Sequence, residues 1–466
     1  MTREVSRTTF RERYHILLQH LHKKIKSGEW PPDTYIPAEN DLAQQFQLSR
    51  PSVRKALSEL AEAGLIRTLH GKGSLVNDPE QRPATLHLSW YTPSYEYEAV
   101  SRLIDRFNRT QTRIRVEMIP TPNGALKASA RDGFRIGHTQ PDLIGISNTS
   151  FFQFTGEEPD NWFRPLQLES ARELYAPCLR AFTVNEKLLA APLTFTPIML
   201  VYNKSMFDHA GLAYPDASWT WDELLAAASS LTRHEGDHVE QYGFSLSSSY
   251  NRWPLFVLQN GGVFRRGDKL LPDEPATKEA LQFAVDLMYK HKVSPIFSTD
   301  NFRLGEMLFL REKVAMILTS YLFLEEFRDI EFDWDLVRFP GRVADTGYSL
   351  ATGIGISSHC EQVEEATEVI EYLLSEEAQR FLKQHGCSVP SRKTVAEDRS
   401  APHHPKAGPG YYMFESIKDK AQTVIDFGLT SLQFNALNRE LGLVWANVAS
   451  LDEVWGTLRT KWAEEP

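Results

Sequence analysis

The sequence predicts a small α+β unit at the N-terminus, followed by a much larger α/β body. Residues 11–62 carry apolar positions at helical spacing, and two short strand-like segments follow them. From residue 86 onward, strand patterns alternate with helix patterns, which is typical of sheets covered by helices. Between these parts, residues 78–85 are polar, contain Pro79 and Pro83 and show no periodicity, so they are predicted to form a linker.

Length and charge limit the possible classes of protein. A chain of 466 residues is long enough for roughly three compact units, and 42% apolar residues exclude wholesale disorder. The net charge is −10, but residues 1–80 hold 12 Lys and Arg against 10 Asp and Glu, which leaves −12 on the rest. We therefore expect any contact with nucleic acid at the N-terminal unit, because phosphates repel an acidic body.

Cysteine usage and the N-terminal residues indicate the compartment. The cysteines Cys178, Cys360 and Cys387 are far apart in sequence and form no metal-binding spacing, which fits a reducing environment. The first residues lack the apolar stretch of a secretory signal, and no run of 18 apolar residues suggests a membrane span. The sequence thus predicts a cytoplasmic protein that does not contact membranes.

The N-terminal unit is predicted to contain three helices and a hairpin. The first helix runs from about Arg11 to Ser27 and ends at Gly28. A second helix begins near Ala38, and a third follows a tight turn in which Ser49 is placed as the N-terminal cap. Two short strands, 65–68 and 74–77, flank a tip that contains glycine and basic residues.

The third helix carries residues suited to DNA. Arg50 and Arg54 lie four residues apart on the face opposite the apolar one, where an arginine fork can bond guanine O6 and N7. Polar neighbours on this helix suit phosphates, which position a protein without specifying sequence. Two exposed arginines could instead merely solvate a helix, but their place after a turn and before a basic, glycine-rich tip favours DNA binding. The predicted DNA contacts are Ser49, Arg50, Ser52, Arg54, Lys55, His70, Gly71 and Lys72.

This segment resembles the winged helix-turn-helix of GntR-family regulators over about residues 10–77. The matching positions are Tyr14, Ile25, Gly28, Pro37, Glu39, Leu42, Ala43, Ser49, Arg50, Val53, Arg54, Ala56, Leu57, Leu60, Gly64, Leu65, Ile66, Gly71, Gly73 and Val76. The resemblance implies that Arg50, Arg54, His70 and Gly71 contact DNA, and that residues 1–77 form the DNA-binding domain. Two positions depart from the family pattern: Asn40 stands where an arginine is usual, and Ala38 stands where a capping serine is usual.

The body begins with a β-α-β-α-β pattern. Strand patterns occupy 86–91, 113–119 and 142–146, with helical or irregular stretches between them, and this order predicts a parallel sheet. Ligands in such sheets bind beyond the carboxyl ends of the strands. Further helices are predicted at 219–232, 276–290, 303–311, 322–328, 361–374, 376–384 and within 412–463; further strands at 313–318, 334–339 and 352–357; and a loop at 388–410.

Residues 86–463 resemble family 1 extracellular solute-binding proteins, the receptor class of ABC sugar importers. The resemblance is carried by Pro192-Leu193, Val201-Tyr202-Asn203-Lys204, Phe207, Ala210-Gly211-Leu212, Pro215, Trp219-Thr220-Trp221-Asp222-Glu223-Leu224, Gln259-Asn260-Gly261-Gly262, Lys313-Val314-Ala315-Met316, Ala366, Leu373-Leu374, Glu377-Ala378-Gln379, Gly386 and Pro390. It implies that residues 86–466 form a two-lobed, periplasmic-binding-protein-like α/β domain. The hinge crossings would lie near 194–200, 316–321 and 386–410, and a solute would close the cleft between the lobes.

Sugars are bound by aromatic faces and planar polar groups, so residues of these types near strand ends and hinges are the candidates. Most of the 52 aromatic residues belong to cores, and only position distinguishes a ligand-binding one. The predicted ligand-binding residues are Tyr91, Ser94, Asn148, Thr196, Trp253, Ser320, Tyr321 and Tyr348. His403 and His404 lie in the Pro-rich loop without an adjacent carboxylate, so we expect them to be solvated and predict no metal site.

These predictions together indicate a transcription regulator and not an enzyme. Its expected partners are a double-stranded DNA operator, a small solute that is a sugar or oligosaccharide, and a second copy of the chain in a homodimer; no cofactor is expected. The alternative is the fusion of a GntR head to a pyridoxal-phosphate aminotransferase, which needs a Schiff-base lysine in a Ser-rich loop that we do not find. A glycosidase would need two facing carboxylates, whereas Asp222 and Glu223 are adjacent on a predicted helix and diverge.

Overall fold

A computed structural model describes residues 10–62, 64–69, 73–77, 83–122, 135–136, 139–155, 162–236, 238–271, 273–296, 303–408 and 410–464. The chain forms two compact units. The smaller consists of Met1–Thr85 with Asn108–Arg115, and the larger of Leu86–Phe107 with Val116–Pro466.

The smaller unit contains the three predicted helices and the predicted hairpin. The helices are Phe10–Lys26, Glu39–Phe46 and Arg50–Glu62. Strands β1 (Ile66–Leu69) and β2 (Gly73–Val76) pair antiparallel. Their apolar faces enclose a small core that includes Leu17, Leu42 and Val53. Helix 39–46 ends at Gln47 in the left-handed conformation, which turns the chain into the third helix.

From residue 84 onward the structure contains strands and helices in alternation. The strands are β3 (Ala84–Thr92), β4 (Ile114–Pro122), β5 (Leu143–Ser147), β6 (Thr183–Val184), β7 (Lys187–Leu188), β8 (Ala191–Asn203), β9 (Arg233–Glu235), β10 (His238–Ser245), β11 (Arg265–Arg266), β12 (Lys269–Leu270), β13 (Val314–Ser320), β14 (Trp334–Arg338), β15 (Gly347–Ile356), β16 (Val389–Pro390) and β17 (Ala421–Gln422).

The α-helices of this part are Tyr97–Thr110, Asn148–Thr155, Ala176–Arg180, Lys204–Ala210, Trp221–Leu231, Pro254–Gln259, Pro275–Tyr289, Leu304–Leu310, Val363–Leu374, Glu376–His385, Lys393–Ala396, Ser431–Trp445 and Leu451–Glu464. The 3-10 helices are Glu169–Glu173, Tyr321–Asp329, Pro405–Ala407, Tyr411–Ser416 and Val424–Phe427.

Strand β8 joins two halves of one large sheet. The sheet has the order β4-β3-β5-β15-β8-β13-β10-β9, and β14, β16 and β17 pair beside this path. Residues 191–197 of β8 pair with β15, whereas residues 198–203 pair with β13 and β14. We call the β15 side lobe 1 and the β13 side lobe 2. All 13 residues of β8 are buried, which explains its unbroken apolar run.

Two hydrophobic cores lie on opposite faces of β8. Ile198, Leu200 and Tyr202 face one core, and Phe195 and Met199 face the other. This alternation follows from the two-residue period of a strand. The same period places Thr194 and Thr196 on the face of Ile198, at the point where β8 changes partners.

The structure corrects three predictions. The sheet is mixed, because β15 runs antiparallel to β5 and β8 and only some pairs, such as β3 with β5, are parallel. The stretch 388–410 is not loop throughout, since it contains β16, helix Lys393–Ala396 and a 3-10 turn. Strand β3 begins at Ala84, two residues inside the predicted linker, whose residues 78–82 lie outside the described part of the chain.

Candidate DNA-binding surface and interlobe polar site

The third helix presents its predicted DNA contacts to solvent. Arg50, Arg54, Lys55 and Ser49 are exposed, and Ser52 is half-buried. The hydroxyls of Ser49 and Ser52 lie 2.7 Å apart, and the Ser52 amide donates to Ser49 Oγ at 3.4 Å. This bond caps the helix beside Arg50, as predicted from Ser49.

Arg54 is held by an acidic partner on the second helix. Its Nε and Nη2 donate to the carboxylate of Glu39 at 3.0 and 2.8 Å. The bond from Arg54 lowers the pKa of Glu39, and the same bond raises the pKa of Arg54. Both groups are therefore ionised at neutral pH, and Arg54 is oriented by the second helix.

The predicted wing contacts cannot be compared with the structure, because His70, Gly71 and Lys72 lie outside the described residues. The strands on either side are described, and Leu69 pairs with Gly73 across the hairpin. Asn40 and Ala38 lie exposed at the start of the second helix, where no side-chain cap bond forms at Ala38.

Polar side chains converge in the large unit where the end of β3 and the residues after it approach β15 and the lobe-1 part of β8. The Tyr91 hydroxyl lies 3.0 Å from Thr352 Oγ1 and 3.3 Å from the carboxylate of Glu96. Thr194 donates to the same carboxylate. Burial is the main cause that raises the pKa of Tyr91, so its hydroxyl remains protonated and can donate. We call Tyr91, Glu96, Thr194 and Thr352 the crossing network.

Three more predicted ligand residues lie beside this network. Ser94 Oγ accepts from the Glu96 amide at 3.2 Å, and Thr196 Oγ1 accepts from the Leu322 amide at 3.2 Å. Ser320 is 1% exposed, ends β13, and pairs with Ile198, the next position on the face of Thr196. Its hydroxyl has no hydrogen-bond partner among the described residues.

Asn148 begins the helix that follows β5. Its Oδ1 accepts from the Ala351 amide at 3.0 Å, and its Nδ2 has no hydrogen-bond partner among the described residues, although the side chain is buried. The neighbouring Thr149 reaches Asn251 of lobe 2 at 3.5 Å. An unpaired buried amide is costly and needs an explanation, such as a ligand.

Three predicted ligand residues lie in the cores instead. Trp253 packs against Phe264, Phe427 and Phe434 with no exposed area, and its Nε1 donates to Asn438 at 3.3 Å. Tyr321 donates to the Tyr411 carbonyl at 2.9 Å, and Tyr348 stacks on Phe427. These contacts favour a packing role, because each side chain is enclosed by protein and its polar atom is satisfied.

Sequence reasoning did not select Glu96, or Glu306 as the buried partner of Arg252. Arg252 Nη2 lies 3.4 Å from Glu306, and the two side chains are 3% and 4% exposed. The guanidinium also donates to the Leu318 carbonyl on β13 at 2.9 Å and lies over the ring of Phe323. The sequence did contain one indication of the buried ion pair, because Arg252 is a charged residue just before an apolar helix.

Tyr95 and Phe323 form the aromatic edge of this region. Their rings lie 5.6 Å apart, and the Tyr95 hydroxyl donates to Glu326. Tyr95 follows a lobe-1 strand, whereas Phe323 and Glu326 follow β13 of lobe 2. An aromatic edge beside a polar network is the arrangement that suits a saccharide.

The fold and the exposed helix define a two-part protein, a winged helix-turn-helix joined to a two-lobed solute-binding fold. The description of bacterial extracellular solute-binding proteins matches residues 92–380, and that of bacterial regulatory proteins of the gntR family matches residues 13–76. The chain therefore belongs to the bacterial extracellular solute-binding protein family and carries a gntR-family regulatory region at its N-terminus.

Similar proteins fall into the same two groups. The HTH-type transcriptional repressor NagR of Bacillus subtilis (strain 168) is 27% identical over 45% of this chain and 92% of its own length. A multiple sugar-binding protein of Streptococcus mutans serotype c is 22% identical over 75% of this chain and 86% of its own length.

Among solved structures, an ABC substrate-binding protein from Listeria monocytogenes in complex with cycloalternan aligns with a TM-score of 0.69. It is 21% identical and covers 81% of this chain and 98% of its own. Maltose-bound MalE3 of T. maritima aligns with a TM-score of 0.67 and 20% identity, covering 81% of this chain and 98% of its own. These structures confirm the predicted fold of the body. Among the described residues, the helices are too short or too polar to cross a membrane.

Proposed function

We propose that this protein is a cytoplasmic transcription regulator whose binding to a DNA operator is controlled by a saccharide bound between the two lobes. The observation that carries the proposal is the presence, in one chain, of an exposed arginine-bearing helix and a solute-binding fold. The helix has the geometry that enters a major groove with its N-terminal residues toward the bases. Both matched families bind macromolecules or solutes, which favours a regulator over an enzyme.

The proposed DNA contacts are Arg50 and Arg54 for bases, with Ser49, Ser52 and Lys55 for phosphates. The exposure of Arg50, Arg54 and Lys55, and of Ser49, supports this assignment. His70, Gly71 and Lys72 remain proposed contacts of the wing. A homodimer would place two such helices on a palindromic operator, as is usual for helix-turn-helix proteins.

The proposed saccharide site comprises Tyr91, Ser94, Asn148, Thr196 and Ser320, together with Glu96 at the centre of the crossing network. The buried Nδ2 of Asn148 and the buried hydroxyl of Ser320 support this set, because these two atoms have no partner among the described residues and suit sugar hydroxyls. Tyr95 and Phe323 would contact the apolar face of a sugar ring. Trp253, Tyr321 and Tyr348 are left out because they lie inside cores.

The saccharide class is proposed from the similar structures, which are complexes with cycloalternan and maltose. Maltose, maltotriose and cycloalternan are accordingly the first probes, tested by thermal shift of the full-length protein. A ligand that binds only the folded state raises the melting temperature in a concentration-dependent way.

The central experiment selects double-stranded DNA from a random pool with the full-length protein and then titrates the operator in the presence of each saccharide. We expect selective binding by a dimer and a change of operator affinity with the saccharide that raises the melting temperature. Arg50→Ala should lose operator binding but keep the rise in melting temperature with saccharide. Glu96→Gln should lose that rise in melting temperature but keep operator binding. Failure to enrich any sequence, or an operator affinity that no bound saccharide changes, would contradict the proposal.

A further inference from the structure

Three side chains with metal-binding atoms meet beside the segment that follows β13. Cys387 Sγ lies 3.3 Å from Glu325 Oε1 and 3.7 Å from His404 Nδ1. His404 Nδ1 lies 3.9 Å from Glu325 Oε1. Glu325 and Cys387 are buried, and His404 is half-buried. None of the three side chains belongs to the crossing network or to the proposed saccharide contacts, although Tyr95 also lines the cavity beside them.

These separations match the ligand spacing of a tetrahedral zinc site. Zinc bonds of about 2.3 Å to sulfur and about 2.0–2.2 Å to nitrogen or oxygen put tetrahedral ligands about 3.3–3.6 Å apart. The distance between Cys387 and Glu325 falls in this range, the distance between Cys387 and His404 exceeds it by about 0.1 Å, and the distance between Glu325 and His404 must shorten by about 0.3–0.6 Å. Carboxylate, thiolate and imidazole together form a ligand set that suits zinc.

The imidazole is oriented for such a role. His404 Nδ1 accepts a long hydrogen bond of 3.3 Å from the Lys406 amide, so Nδ1 carries no proton there, and a zinc ion at this nitrogen would replace that bond. Predicted as a solvated loop residue, His404 instead caps the 3-10 turn Pro405–Ala407. Its neighbour His403 stacks on Tyr411 with ring centroids 4.5 Å apart, so neither histidine is simply solvated.

A cavity of about 250 Å³ adjoins the cluster and gives access to a fourth ligand. Glu325 and His404 form part of its wall, with Glu98, Gln384 and Lys406. A water occupies about 30 Å³ of liquid volume, so the cavity has room for a water ligand and for exchange with solvent. Lys406 Nζ lies 3.2 Å from Glu325 Oε2, the oxygen that does not face Cys387, and so leaves Oε1 to the cluster.

We propose that Glu325, Cys387 and His404 bind one zinc ion, with water from the cavity as the fourth ligand. On binding, the Cys387 thiol loses its proton to solvent and ligates as thiolate, as zinc sites require. Glutamate and thiolate together balance the charge of the ion. The three ligands come from separate segments: the 3-10 helix after β13, the stretch between helix Glu376–His385 and β16, and the turn before Pro405. Zinc would therefore link three segments, two of which adjoin strands that pair with β8.

The test is a titration of full-length, chelator-treated protein with Co²⁺, which reports thiolate ligation through a near-ultraviolet charge-transfer band, followed by displacement with Zn²⁺. We expect one Co²⁺ per chain, a band that Zn²⁺ abolishes, and a Zn²⁺-dependent rise in melting temperature. Cys387→Ser should abolish the band, whereas the matched control Cys178→Ser, which replaces another buried cysteine, should retain it.

His404→Gln provides a second variant in case Cys387→Ser folds poorly. It should retain the thiolate band at saturating Co²⁺ but weaken binding by more than the roughly 10–100-fold typical of changes outside the ligand shell. Circular dichroism of each variant checks folding. Absence of the band in the unaltered protein, its survival in Cys387→Ser, or unchanged affinity in His404→Gln would each overturn the proposal.

Discussion

At the scale of single residues, Glu39 holds the guanidinium of Arg54, one of the proposed DNA contacts. Its carboxylate takes two hydrogen bonds from the guanidinium and stays ionised, because the bond from Arg54 lowers its pKa. DNA that binds Arg54 would either displace the Glu39 carboxylate or contact the guanidinium in the orientation in which Glu39 holds it. The charge pattern of the recognition helix is thus set by a residue on the neighbouring helix.

We predict that Glu39→Gln strengthens binding to non-specific DNA severalfold, because it removes a negative charge and releases Arg54 to phosphates. Fluorescence anisotropy at several salt concentrations would measure this change and the salt slope. Asp41→Asn is the matched control, because Asp41 lies exposed on the same helix. This substitution removes the same charge and leaves the ion pair between Glu39 and Arg54 intact. Equal effects in the two variants would show that only net charge matters.

The buried pair of Arg252 and Glu306 is the second prediction at this scale. Glu306→Ala leaves the guanidinium without its charge partner inside the protein, which costs about 3–5 kcal/mol for buried pairs. Chemical denaturation monitored by circular dichroism would measure the loss. In the control, Asp273→Asn breaks the exposed pair with Arg459 and should cost less than about 1 kcal/mol. Similar losses in both variants would contradict a special role for burial.

At the scale of elements, local patterns predicted the helices well and the sheet incompletely. The periodicity around Leu103 or Leu224 depends only on neighbours along the chain, so helix positions follow from it. Whether β15 runs parallel or antiparallel to β8 depends on a pairing across about 150 residues of sequence, which no local pattern contains. The same limit applies to the site. Tyr91 and Thr352 come together only because the sheet brings their distant segments side by side. In the sequence, Trp253 cannot be told from a ligand-binding aromatic residue; its complete burial in the structure makes the difference.

The second helix is the element with an evident local defect. Ala38 occupies its N-terminal cap with extended dihedral angles, yet offers no side-chain acceptor. We predict that Ala38→Ser stabilises the winged unit by about 0.5–2 kcal/mol, because a serine oxygen can accept from an amide of the first turn. Ala38→Val, which adds bulk at the same exposed position without an acceptor, should give no gain. Thermal unfolding of both variants against the unaltered protein would decide, and an equal gain from valine would contradict the capping explanation.

At the scale of the whole molecule, the proposed regulation requires that saccharide and operator favour different states of the same chain. A saccharide changes operator affinity only by the ratio of its own affinities for those states. The proposed zinc site would act on the same equilibrium, because Glu325 follows β13 and Cys387 precedes β16, and both strands pair with β8. Removal of the metal is therefore expected to alter saccharide affinity without touching the arginine-bearing helix.

This linkage gives a reciprocal prediction. If the effector saccharide changes operator affinity by some factor, typically about 5–150-fold in coupled systems, operator DNA must change saccharide affinity by the same factor. Isothermal titration of the saccharide into the full-length protein, with and without saturating operator duplex, would measure the second factor, and a scrambled duplex is the control. Arg50→Ala should abolish the effect of the operator on saccharide affinity, since it no longer binds the duplex specifically, while leaving saccharide affinity in free protein unchanged. If operator affinity and saccharide affinity change by unequal factors, one of the ligands also acts at another site. If neither affinity changes, the DNA-binding region and the solute-binding region act independently.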